Sequence, residues 1–178
     1  MRIREAIQTS AKILVMVFAV ALTLSACREN DIGRLREIEL EYLDKYIQKE
    51  GITAKPLSTG LYFIELQRGA GDTIKAGDQV DILYRTWVLR DSLILIDQNI
   101  TAEGIFYEPL RFSVAADDAA AGVVAGLNQG VKLMQNKGKA RMIIPSEIAY
   151  GQYGSGTVPG FATLIMEVTI YRHVKAQN

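Results

Sequence analysis

Few side chains in this 178-residue chain can do covalent or metal chemistry, and that scarcity narrows the reactions open to it. There is one Cys, Cys27, and one His, His173. A disulfide needs a second Cys, and a Cys/His zinc site needs several such ligands, so neither is available. A serine-type triad would have to recruit His173, close to the C-terminus. Gly151, Gly154 and Gly156 form a Gly-rich stretch. It lacks the Lys and the following helix of a phosphate loop, and reads as a run of tight turns. Twenty Lys and Arg balance twenty Asp and Glu, leaving no broad positive field to hold nucleic acid. Most hydrolase, metalloenzyme, nucleotide-binding and nucleic-acid readings drop out.

The N-terminus reads as an address. Arg2, Arg4 and Lys12 precede an apolar run from Ile13 to Leu24, followed by Ser25, Ala26 and Cys27. These are the charged, apolar and small-residue regions of a secretory signal over residues 1–26. The run is shorter than the roughly 20 residues that span a bilayer. Leu24, Ser25, Ala26 and Cys27 also resemble the bacterial lipobox, in which the Cys is acylated and becomes the first mature residue. Lipidation of Cys27 would account for a lone Cys in an exported chain; a plain signal peptide with an incidental Cys, or an uncleaved anchor, are the alternatives. Processing there leaves 17 basic and 19 acidic groups on a chain tethered to a bacterial envelope membrane. Arg28 follows the Cys in place of the Asp that marks inner-membrane retention in some bacteria. The expectation is an outer-membrane lipoprotein facing the periplasm, with Glu29 and Asp31 leaving surface exposure open.

Residues 27–56 read as a tether and an amphipathic helix. Leu35, Ile38, Tyr42 and Tyr46 recur at helical spacing, Leu40, Leu43 and Ile47 widen the stripe, and Glu37, Glu39, Glu41, Asp44, Lys45 and Lys49 fill the remainder. Gly51 stands where a helix C-cap belongs, and Pro56 opens the linker to the main domain. So wide a stripe needs a partner surface: either its own domain, where Leu83, Trp87 and Leu89 would offer an outer apolar patch, or a second copy in a helix-mediated dimer. The protein is therefore expected as a monomer or such a dimer.

From Leu57 the period changes to alternation. Leu61 to Arg68, Gln79 to Arg90, Leu93 to Ile96, Leu110 to Val114, Lys139 to Pro145 and Ala162 to Arg172 are strand-like, with turns at Gly69/Gly71, Gly77/Asp78 and Gly151 to Gly160. Leu127, Val131 and Met134 predict one short helix, stopped by Asn136 and Gly138. An α+β domain over 57–178 follows, a mostly antiparallel sheet wrapped on one short helix and preceded by the N-terminal helix.

Val123 to Val131, Met134, Gly138 to Gly151 with its Ile144-Pro145-Ser146-Glu147-Ile148-Ala149-Tyr150-Gly151 ending, Pro159, and Ala162 to Val168 resemble FKBP-type peptidyl-prolyl cis-trans isomerases. The resemblance reaches back through Gly60, Leu61, Tyr84, Asp97 and Pro109 to Phe112, and covers Leu57 to Val174. The N-terminal helix is similar to the extensions of some envelope lipoproteins of that family. The implied chemistry is rotation about X-Pro bonds, slowed by an amide barrier of roughly 18–20 kcal/mol. An apolar, water-poor pocket favours the twisted amide, which has lost charge separation. It calls for no cofactor and no metal, which suits a chain so poor in reactive groups.

The resemblance assigns roles residue by residue. Tyr84, Asp97 and Tyr150 are the implied catalytic set: Tyr84 lining the pocket, Asp97 as a polar wall beside the amide, Tyr150 aiming its hydroxyl at a substrate carbonyl. Val123 and Val124 form the rim and Leu127 the floor, while Ile96, Leu110, Phe112, Ala149, Val158, Phe161 and Met166 complete the substrate-binding surface. Each has a structural alternative, Tyr84 and Met166 as core, Asp97 as a loop cap, Tyr150 as a turn residue. The chain departs from the family at Leu127, where a Trp is usual, and at Ile96, Leu110 and Met166, where rings are usual. Loss of stacking faces implies weak turnover or an altered sequence preference. The Gln98 to Glu108 loop has no Arg or Lys to face Asp97, so Arg85 or Arg111 would have to substitute. The expected function is isomerisation of X-Pro bonds in exported proteins; the alternative is a non-catalytic binding or chaperone module for an envelope partner.

Overall fold

The structure is a computed structural model that describes residues 31–177; the signal and Cys27 readings lie outside the described residues. By its contacts the chain divides into Met1–Ile38 and Glu39–Asn178. Of the first unit, residues 31–38 are described, and they are helical. The second begins within that helix, α1 (residues 31–49). Gly51 ends it with φ +62°, its N–H donating to the Gln48 carbonyl and that of Ile52 to the Ile47 carbonyl. This is the Schellman closure, and glycine tolerates its left-handed position without strain.

Eight strands follow: β1 (Tyr62–Gln67), β2 (Ala70–Thr73), β3 (Gln79–Leu89), β4 (Leu93–Gln98), β5 (Leu110–Ser113), β6 (Gln135–Asn136), β7 (Lys139–Ile144) and β8 (Leu164–Val174), with helix α2 (Ala125–Val131) before β6. The main sheet runs β1-β7-β8-β3-β4, every pairing antiparallel, with β5 beside the first half of β3 and β4 beside the second. The small β2–β6 sheet is an addition to the expected strands. Gly69 and Gly71 signal a turn there, and β6 is too short to show a period.

Alternation along the strands builds two cores. Ala140, Met142 and Ile144 of β7 and Leu164, Met166, Val168 and Ile170 of β8 face α2, with Val80, Ile82 and Val88 of β3 in the same cluster. Ile143, Ile165 and Leu89 face the other way and pack on Leu43 and Tyr46 of α1, with Trp87 at their margin. Covering both faces explains the near-continuous apolar runs of β7 and β8.

The α1 face differs from the one its apolar stripe predicts. Glu39, placed on the polar remainder by sequence, is buried at 2% exposure, while Leu35 and Leu40 are exposed. Leu83 is buried but lies outside the cluster that α1 covers. It lines a hollow closed by Ile100, Thr101, Ala102 and Gly104 of the β4–β5 connection.

Candidate functional site

On the α2 side of the sheet a cleft of about 240 Å³ opens, lined by Tyr84, Thr86, Ile96, Asp97, Leu110, Gly122, Val123, Val124, Leu127, Tyr150, Leu164 and Met166. Strand alternation sends Tyr84 and Thr86 of β3 and Leu164 and Met166 of β8 to this face. A register shift in the β3–β4 pairing between Thr86 and Trp87 brings Asp97 opposite Thr86. Val124 is the N-cap of α2, its carbonyl accepting from the N–H groups of Leu127 and Asn128. That turn seats Leu127, 2% exposed, at the bottom of the cleft.

Close packing keeps α2 in place. A Cβ on Gly126 would stand 2.3 Å from Cγ2 of Ile144, and one on Gly130 2.4 Å from the Met142 sulfur, so at this approach of the helix to β7 a side chain at either position would displace a β7 side chain. Asn128, fully buried, accepts from Ala115 N–H and donates to the Ala115 carbonyl, both at 3.0 Å, and to Asp118 at 2.6 Å. Gln129 and Lys132 donate to the same carboxylate. Burial raises the Asp118 carboxyl, but these donors outweigh it and hold the group below its ordinary value.

The polar side of the cleft is a short hydrogen bond. Tyr84 Oη donates to Asp97 Oδ2 at 2.7 Å. Burial, then the neighbouring Asp97 carboxylate, raise the Tyr84 hydroxyl above its ordinary value, so it remains a neutral donor. Asn99 fixes this pair from behind: its Oδ1 accepts from Tyr84 N–H at 2.7 Å and its amide donates to the Ile82 carbonyl at 3.0 Å. Neither arginine proposed as a partner for Asp97 occupies that role. Arg85 bonds Glu167 at 2.7 Å and lies over the Trp87 ring, and Arg111 bonds Asp81 at 2.6 Å. Tyr84 fills it with a hydroxyl.

Of the thirteen residues expected at the site, nine line the cleft: Tyr84, Ile96, Asp97, Leu110, Val123, Val124, Leu127, Tyr150 and Met166. Phe112 and Val158 sit instead in the buried core, Ala149 packs against that core, and Phe161 is half-buried with φ +52°. None of these four is among the residues lining the cleft. Thr86, Gly122 and Leu164 also line the cleft; alternation along β3 turns Thr86 inward with Tyr84, and the same period places Leu164. The cleft is thus apolar on most of its surface, with Thr86, the Asp97–Tyr84 pair and Tyr150 as its polar residues. His173, the sole imidazole, is elsewhere, bonded to Asp78 at 2.7 Å.

The family model of FKBP-type peptidyl-prolyl cis-trans isomerases matches residues 71–171. The chain is 30% identical over 130 residues to the FKBP-type peptidyl-prolyl cis-trans isomerase FkpA of Escherichia coli, covering 73% of this chain and 43% of that protein. It is 29% identical over 114 residues to an FK506-binding protein of Neisseria meningitidis, covering 64% and 95% respectively. The crystal structure of FkpA from Escherichia coli superimposes with a TM-score of 0.66 at 29% identity, over 86% of this chain and 65% of that one. The chain spans less than half the length of the FkpA sequence it matches.

Proposed function

The chain belongs to the FKBP-type peptidyl-prolyl cis-trans isomerase family, and from that premise we propose that it accelerates rotation about X-Pro bonds in exported proteins, using the cleft between α2 and β3–β5. The observation that carries the reading is the composition of that cleft. Ile96, Leu110, Val123, Val124, Leu127, Leu164 and Met166 surround a volume of about 240 Å³, an apolar space for a Pro ring. The planar amide is the more polar state, and twisting it removes resonance and charge separation. A cleft that excludes water therefore favours the twisted amide over the planar one. Tyr150, at the mouth, holds a carbonyl of the flanking peptide, and Asp97, fixed by Tyr84, presents a polar edge beside the rotating bond.

Binding without turnover is the second reading, favoured by one observation: the cleft-lining Ile96, Leu110, Leu127 and Met166 are all aliphatic, so no ring stacks on the Pro from those positions. Exchange spectroscopy on a Pro-containing peptide separates the two. Cis–trans exchange above the uncatalysed rate supports the isomerase; peptide shifts without faster exchange support the binding module.

We further place the protein in the bacterial envelope, anchored by lipid on Cys27 after removal of residues 1–26, with Pro-containing segments of exported chains as partners. The support is the residue order from Arg2 to Cys27. Mass spectrometry of the membrane fraction tests it: a mature chain beginning at an acylated Cys27 is expected, and an unmodified Cys27 contradicts it.

A further inference from the structure

A carboxylate reaches from α1 to the segment that carries Tyr150. Glu39 Oε1 accepts from the Ser146 N–H and from the Thr163 hydroxyl, both at 2.8 Å, and Oε2 accepts from the Ser146 hydroxyl at 2.7 Å. Glu39, Ser146 and Thr163 are 2%, 2% and 1% exposed. Ser146 and Thr163 are the two feet of the connection between β7 and β8. At the first foot, the Ser146 carbonyl accepts from the N–H groups of Ala149 at 3.0 Å and Gly151 at 2.8 Å, one on each side of Tyr150. At the other, the Thr163 carbonyl accepts from Leu89 N–H at 2.9 Å.

Between its feet the connection is folded tightly on itself. Ser155 and Val158 pair backbone to backbone, Phe161 N–H donates to the Gly151 carbonyl, and a Cβ on Gly154 or Gly160 would run into the Val158 or Gln152 carbonyl at 2.1 and 2.0 Å. A segment this compact moves as a piece, so whatever fixes its feet fixes Tyr150. Docking of α1 has an apolar source already, in Leu43 and Tyr46 against Ile143 and Ile165. Burying a carboxylate adds a desolvation cost that an aliphatic side chain there would avoid, and what it provides is directional bonding to both Ser146 and Thr163.

We propose that Glu39 is a positioning residue for the cleft: by holding Ser146 and Thr163 together it sets where the Tyr150 hydroxyl stands. The role rests on the reading of the cleft as a Pro-peptide site. It makes the N-terminal helix part of the site's support, although no residue of α1 lines the cleft.

The test compares the full chain with Glu39→Ala, Glu39→Gln and Leu43→Ala, reading amide hydrogen exchange together with KM and kcat for cis–trans exchange of a Pro-containing peptide. In Glu39→Ala the protection of Ala149 and Gly151 is expected to fall about tenfold relative to Met142 and Val168 in the sheet. KM rises several-fold with it. Glu39→Gln keeps an oxygen for Ser146 N–H and Thr163, and its amide can donate to a turned Ser146 hydroxyl; it should recover most of the loss, and it carries the test if the alanine variant does not fold. Leu43→Ala loosens the same helix without touching the carboxylate, and should lower overall stability while leaving the relative protection of Ala149 and Gly151 and the KM unchanged. Glu39→Ala behaving like Leu43→Ala, or Glu39→Gln no better than Glu39→Ala, overturns the proposal. A wild-type chain that does not accelerate exchange defeats the isomerase reading instead, and the protection measurement then decides Glu39 alone.

Discussion

At the scale of single residues the site rests on one hydrogen bond and a set of aliphatic walls. Tyr84→Phe keeps the ring and removes only the hydroxyl that holds Asp97. With exposure discounting a bond to a charged group, this one is worth about 0.5–1.5 kcal/mol, so kcat/KM should fall about two- to twelvefold with the fold intact by circular dichroism; an unchanged kcat/KM would show that Asp97 needs no holding. Tyr84, Asp97, Leu127 and Tyr150 were legible because their spacing matches an ordered family pattern. Asn99 and Glu39 were not. An Asn after a strand reads as a loop residue, and a Glu among Glu37, Glu41 and Asp44 reads as solvated; their roles depend on hydrogen-bond partners outside the local sequence, Tyr84 N–H and the Ile82 carbonyl for Asn99 and Ser146, 107 residues away, for Glu39. A family pattern records position in the chain and not side-chain direction: Phe112 and Val158 match it, yet they lie in the buried cluster and outside the cleft lining.

At the scale of elements, the seat of α2 on β7 makes a graded prediction. Gly126→Ala gains up to about 1 kcal/mol of helix propensity but drives a methyl into the branched Ile144 side chain, an overpacking cost of about 1–3 kcal/mol. Net destabilisation is expected, visible as a lower denaturant midpoint. Gly130→Ala meets Met142, whose unbranched chain can turn aside, and should cost less; the reverse order would mean that α2 shifts to relieve the clash. The outer face of the sheet adds an acid dependence. Burial raises the Glu167 carboxyl, but Arg141 and Arg85 outweigh it and hold the group below its ordinary value. A depressed folded value contributes stability above the unfolded value and loses it as pH falls through the folded one. The Tm should therefore drop below about pH 4, and less steeply in Glu167→Gln; an equal slope would assign the loss to other carboxylates. The strand sequence was readable from alternation, whereas β2–β6 was hidden under the turn signals of Gly69 and Gly71.

At the scale of the molecule, the sheet is covered on both faces, by α2 and the cleft on one and by residues 39–49 of α1 on the other. Removing residues 28–50 would bare Leu89, Ile143 and Ile165, and should lower the Tm by about 10 °C or more; an unchanged Tm would mean that the outer core stands without the helix. Sequence made the need for a partner surface plain and left its identity open between the domain and a second copy, because an apolar stripe specifies only that something covers it. The most direct test of the whole account is exchange NMR of a Pro-containing peptide with the chain from Arg28 to Asn178, beside Asp97→Ala and Tyr150→Phe. Cis–trans exchange faster than the uncatalysed rate, and slowed by either substitution, is the predicted result. A folded protein that leaves exchange at the uncatalysed rate, or one whose acceleration is indifferent to both substitutions, would contradict the claim that this cleft turns the X-Pro bond.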